Sequence, residues 1–289
     1  MASAKTTALI VFCALLIAGC AAEKKEPSVA ANSAHRVVTL APSLTEIVCA
    51  VGGTEVLAGR TSACDYPTVI KKTVPVIGQF GKPDLERLVS LSPTLVLDVA
   101  LADEAEGVQM KKLGLKRERI RCENMNDICE AIVRVGELLE REEKAKEIAS
   151  ELWKGIEKLR KDSASITNRP RVYVETWSDP LWTAGKDTFI SELISLAGGV
   201  NIGDDVNKEH FQVDHEWVVS RNPDIILCLY MAEDVPARTA MMKRAGGQKT
   251  NAIKNKKVYD HFDNNIILRP GPRVLEGVKA VKECLADAE

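Results

Sequence analysis

DLERLVSLSPTLVL at residues 84–97 and DHEWVVSRNPDIIL at residues 214–227 are two copies of one pattern. Asp, Glu, Val, Ser, Pro and Leu recur in register at an offset of about 130 residues. Each copy reads as a short helix, a proline turn and an apolar strand. A weaker echo pairs RVVT (36–39) and TEIVCAVGG (45–53) with RVYV (171–174) and SELISLAGG (191–199). An internal repeat of whole supersecondary units predicts two lobes of similar build.

Outward from these copies, short β-branched runs alternate with helical patterns: RVVTLA, TEIVCAVGG, VLAGR, TLVLDVA and a helix near Glu104 to Leu113. Such alternation implies βα units, so the fold class is α/β, with central, mostly parallel sheets flanked by helices. Between the halves Ile132, Val135, Leu138, Leu139, Ala145, Ile148, Ala149, Leu152, Ile156 and Leu159 recur at helical spacing, with charges on the other face. One long amphipathic helix, or two in succession, is expected there. At 1.5 Å per residue some 25 residues span nearly 40 Å, long enough to brace one lobe against the other. A stiff connector of this kind predicts limited hinge motion. The expected organisation is a first lobe over 35–139, a connecting helix over 140–165 and a second lobe over 166–289.

The start of the chain is of a different kind. A lone Lys5 precedes an uncharged run, ALIVFCALLIAG (8–19), too short to span a bilayer, as in the apolar core of a signal peptide. Leu16-Ile17-Ala18-Gly19 before Cys20 resembles the bacterial lipobox, which makes residues 1–19 the signal and Cys20 the acylated residue; an ordinary secretory signal cleaved nearby is the alternative. Several acyl chains, at about 0.8 kcal/mol per buried CH₂, hold a protein at a membrane almost permanently. Residues 20–34, small, charged and interrupted by Pro27, read as a flexible tether. The chain is thus expected outside the cytoplasm, on the periplasmic or cell-surface face of a membrane.

The formal net charge of −2 gives no footprint for nucleic acid. Cys49, Cys64, Cys122, Cys129, Cys228 and Cys284 follow the lipobox; disulfides are permitted in an exported chain, Cys122 and Cys129 being the closest pair. Cys49 and Cys228 sit in apolar runs suited to buried thiols. There is no GxSxG elbow, no Gly-rich phosphate loop, no HExxH and no His-rich loop, which counts against an enzyme or a dedicated zinc or manganese site.

The opening RVVTLAPSLTEIVCAVG, CDYP at 64–67, FGKPDLERL at 80–88, WTAGKDTFISELISLAGG at 182–199 and RPGPRVLEGVKA at 269–280 resemble the periplasmic cobalamin (vitamin B12)-binding proteins of ABC importers. These belong to the helix-linked class that also takes ferric siderophores and haem. The similarity covers nearly the whole mature chain. It implies a monomer that holds a ligand between its lobes, with no cofactor of its own, the corrinoid being the cargo. It also implies docking onto the permease dimer of an importer with its ATPase subunits, through one glutamate per lobe. Those glutamates are Glu86 and Glu216, the pair that the repeat places identically. A carboxylate in a first helical turn also gains from the helix dipole, and duplication alone would preserve both.

Aromatic residues make up 4% of the chain, yet Tyr66, Phe80, Trp177, Trp182, Phe211 and Phe262 lie where loops should leave strands. Ligands of open α/β folds bind beyond the carboxyl ends of strands, and aromatic faces suit a flat macrocycle. By the resemblance, Tyr66 and Phe80 contact the ligand from the first lobe. His210 or Phe211 does so from the second, and Arg269 hydrogen-bonds the corrin rim. An acidic residue expected shortly before that arginine is replaced here by Asn265. His210 is also a candidate axial ligand to cobalt or haem iron, although a lone histidine in a polar loop is more often solvated.

Overall fold

The computed structural model describes residues 35–101, 103–230, 236–244 and 246–286. The signal segment, Cys20 and the tether lie outside them. No helix among the described residues is long and apolar enough to cross a membrane.

The first half runs β1 (Val37–Thr39), α1 (Pro42–Ala50), β2 (Leu57–Arg60), α2 (Ile70–Thr73), β3 (Gly78–Gln79), β4 (Lys82–Pro83), α3 (Leu85–Ser90), β5 (Leu95–Asp98), α4 (Glu104–Lys112), β6 (Arg117–Arg119) and α5 (Met125–Leu138). A second helix, α6 (Glu142–Ala164), follows. The second half runs β7 (Arg171–Glu175), β8 (Trp177–Ser178), β9 (Leu181–Ala184), α7 (Phe189–Ala197), β10 (Val200–Asn201), β11 (His210–Gln212), α8 (His215–Arg221), β12 (Ile225–Cys228), α9 (Ala237–Lys243), α10 (Asn251–Lys254), β13 (Val258–Tyr259), α11 (Asn264–Leu268) and α12 (Val274–Ala286).

Each lobe is built on a four-stranded parallel sheet, ordered β2-β1-β5-β6 in the first and β10-β7-β12-β13 in the second. The orders are the same: the first strand sits inside, the second lies on its outer edge, and the third and fourth extend the other way. The repeated segments are equivalent in detail. Asp84 caps α3 by accepting from the Glu86 and Arg87 amides, and Asp214 caps α8 by accepting from the Trp217 amide. Both helices stop at a left-handed residue before proline, Ser92 at φ 45° and Asn222 at φ 42°.

Strand alternation divides the apolar residues among three clusters. Val38 and Val96 point to a small first-lobe core with Leu40, Ile77, Leu88 and Met110. Tyr173, Ile226 and Cys228 point to a second-lobe core with Met241 and Val258. The opposite faces, carrying Val37, Leu95 and Leu97 in one lobe and Val172, Val174, Ile225 and Leu227 in the other, feed a single large core. That core continues through α5, α6, α7 and α12, so the lobes are joined by shared packing as well as by chain.

The connector is two helices rather than one. The chain breaks at Glu140, φ 57°, between α5 and the 23 residues of α6. Ala145, Ala149, Leu152 and Ile156 form the buried stripe of α6. Gly136 lets the two helices close up, because a Cβ there would lie 2.2 Å from that of Ala145. At 1.5 Å per residue α6 is about 35 Å long.

Cys122 and Cys129, the closest in sequence of the cysteines after the lipobox, are both free thiols. Cys122 is buried in the large core at the entry to α5, whereas Cys129 lies on α5 beside Val133 and Ala149 at the groove with α6. Cys49, Cys64 and Cys228 are thiols as well, the last two buried.

Candidate ligand-binding site

The loop after β2 carries Tyr66, and its shape is set by a buried arginine. Arg60, 6% exposed, donates Nη1 to the Cys64 carbonyl at 2.7 Å and Nε to the Val74 carbonyl at 3.1 Å. Further bonds to the carbonyls of Thr61, Ile70 and Lys71 satisfy the rest of the guanidinium. A charged group out of water persists only when its donors are used, so the loop folds around this side chain. Tyr66 projects from it, 42% exposed.

Phe80 stands at the tip of the β3–β4 hairpin, whose two-residue turn is closed by Gly81 at φ 70°, and its ring is more than half exposed. The same hairpin leads into α3 and Glu86.

In the second lobe, β8, β9 and β11 make a small antiparallel sheet that has no counterpart among the described strands of the first. Trp177 lies directly opposite Trp182, and Trp182 opposite Gln212. His210 is two residues from Gln212 on the same strand, so Trp177, Trp182, Gln212 and His210 share one face. All four are exposed. Of His210 and Phe211, His210 is the one on this exposed face. Phe211 points to the other face, is 8% exposed and packs edge-on against Trp217 with centroids 5.6 Å apart. Phe211, expected at the site, is thus buried on the opposite face of the sheet.

His210 also lines a cavity of about 460 Å³ formed by both halves of the chain, with Cys122 and Glu123 from the first and Thr176, Leu268 and Pro270 from the second. Partial desolvation lowers the His210 pKa, against the weaker pull of Glu209, which favours the neutral imidazole.

Arg269 is engaged within the protein. Its Nη1 donates to Asp65 Oδ1 at 2.6 Å and its Nη2 to the Ala63 carbonyl at 3.0 Å, with Glu46 Oε1 at 3.3 Å from Nη1. Asn265, where an acid was expected, gives its backbone amide to the α11 cap Asp263. The carboxylates that meet Arg269 come instead from the first lobe.

Glu46 is the site-region residue that local patterns did not flag. Only 4% exposed on α1, it receives Arg273 Nε at 2.8 Å and Nη2 at 2.7 Å. On α7, Glu192 receives Arg160 Nη2 at 2.6 Å and the Met125 amide at 2.9 Å. The signal was present in the weaker echo, since Thr45-Glu46-Ile47 aligns with Ser191-Glu192-Leu193.

Glu86 and Glu216 are both exposed in the first turns of α3 and α8, and neither carboxylate has an ion-pair partner among the described residues.

Comparison with known proteins agrees with this architecture. The model of the family described as periplasmic binding protein matches residues 37–263. Over 269 residues the chain is 30% identical to an uncharacterized ABC transporter substrate-binding lipoprotein, YvrC, of Bacillus subtilis, covering 91% of this chain and 81% of the relative. It is 29% identical over 204 residues to the vitamin B12-binding protein of Salmonella paratyphi A, covering 70% and 75%. Among solved structures, the periplasmic heme-binding protein RhuT from Roseiflexus in its apo form aligns with a TM-score of 0.80 at 25% identity, covering 88% of this chain and 98% of that one. The chain belongs to the periplasmic binding protein family and is the substrate-binding protein of an ABC transporter.

Proposed function

We propose that the protein captures cobalamin or a related corrinoid between its lobes and delivers it to the permease, docking through Glu86 and Glu216 while tethered through an acylated Cys20. The carrying observation is the open face of the β8–β9–β11 sheet, where Trp177 and Trp182 pair across strands beside His210 and Gln212. Indoles bury large area against a flat ring, and the polar pair suits the amide fringe of a corrin. The vitamin B12-binding relative points the same way.

A haem reading is favoured by one observation, the His210 imidazole lining the cavity, together with the likeness to a heme-binding protein. A ferric siderophore fits less well. An anionic chelate calls for uncommitted cations, and Arg269 and Arg273 already face Glu46 and Asp65. Calorimetry on protein lacking residues 1–20 is expected to give sub-micromolar binding of cyanocobalamin. Tighter binding of haemin or a ferric siderophore overturns the assignment.

A further inference from the structure

The segment Arg269–Arg273 crosses from the second lobe onto the first, and its two arginines hold neighbouring parts of one loop. Arg269 takes the Ala63 carbonyl and the Asp65 carboxylate. Arg273 reaches one residue further: its guanidinium carbon lies 3.9 Å from the centroid of the Tyr66 ring. The same guanidinium is pinned by two hydrogen bonds to Glu46, whose side chain is 3% exposed. Both ends of the contact are thus fixed, the carboxylate by burial and the ring by the Arg60-organised loop.

Only a planar, permanently charged group can satisfy both neighbours at once. A guanidinium offers parallel N–H donors to a carboxylate in its own plane and a flat face to an aromatic ring, whereas an ammonium offers a point charge. With Arg273 against one face, Tyr66 keeps 42% of its surface in solvent, so its free area is presented outward from a fixed backing. A contact residue ordered before the ligand arrives spares the ordering cost on binding.

We infer that Arg273 is a positioning residue for ligand capture: pinned by Glu46, it holds the Tyr66 ring as a preset platform. The inference rests on Tyr66 as a ligand contact. It differs from a purely mechanical role, in which Arg273 staples the lobes together and Tyr66 is incidental.

Arg273→Lys separates the two, because it retains a cation for Glu46 and removes the planar stack. Affinity for cyanocobalamin and for haemin is measured by titration in the wild-type and Tyr66→Leu backgrounds. The expected result is a loss of about three- to tenfold on Arg273→Lys in the wild-type background, and none once Tyr66 is leucine. Equal losses in both backgrounds, or no loss in either, overturn the inference. A ligand-free arm uses fluorotyrosine-labelled protein, which has four tyrosines, with the residue 66 signal assigned from Tyr66→Leu. Its fluorine resonance is expected to shift and broaden in Arg273→Lys, and an unchanged resonance overturns the positioning role. If the wild type binds neither probe, the ligand assignment fails by itself and the fluorine signal alone decides the positioning.

Discussion

Glu46 of α1 and Glu192 of α7 occupy matching positions in the first helices of the two lobes, and each carboxylate crosses to the other half of the molecule. Glu46 binds Arg269 and Arg273 near the carboxyl-terminal helix, while Glu192 binds Arg160 of α6 and the amino-terminal amide of α5. Each copy of the repeated strand–helix unit thus carries a crossing point.

The two crossings differ in burial, and their removal should differ in cost. Glu46→Gln leaves the mostly buried Arg273 without its carboxylate and Arg269 with Asp65 alone, and losing one partner of a buried pair costs about 3–5 kcal/mol. Glu192 and Arg160 have side chains 27% and 35% exposed, so Glu192→Gln should cost about 1 kcal/mol or less from the ion pair, plus the lost amide cap. Guanidinium unfolding of both variants checks the order, and a milder Glu46 variant contradicts it.

Exposed and without an ion-pair partner among the described residues, Glu86 and Glu216 contribute little to the fold beyond the helix dipole, about 0.3–1 kcal/mol each. The double change to alanine should leave cyanocobalamin affinity unaltered while weakening capture of the protein by its permease complex in detergent, with each single change intermediate. Unchanged capture removes the docking role.

Burial raises the thiol pKa of Cys122 from 9.0 to about 12, with Asp127 and Glu123 adding to the shift. Cys129 is raised by burial to about 11. A thiol whose folded pKa exceeds its unfolded value favours the folded state fully below pH 9, and that contribution is lost as pH rises through the folded pKa. Stability should therefore fall between about pH 9 and 12, less steeply in Cys122→Ala. Native alkylation by iodoacetamide at pH 8 should be far slower at Cys122 than in the unfolded chain, because the thiolate is roughly a thousandfold rarer. Rapid native labelling of Cys122, read by peptide mass, contradicts this.

Acylation at Cys20 predicts that Cys20→Ser moves the protein from the membrane fraction to the soluble one without changing ligand affinity. Persistent membrane association of that variant argues for another anchor.

From the amino-acid sequence alone came the α/β class, the duplicated lobes, the helical connection and the matched glutamates of α3 and α8. These follow from short-range patterns: an aspartate cap, a glutamate two residues on, a residue before proline that ends the helix, and an apolar strand beyond. Only the tertiary structure decided that His210 faces outward and Phe211 inward, since a three-residue strand after a charged loop is too short for its alternation to show. It also decided that Arg269 and Arg273 are held by residues 204 and 227 positions away, and that Cys122 and Cys129 stay apart. Contacts at such separations depend on how two sheets and their helices pack around one core, which no local periodicity specifies.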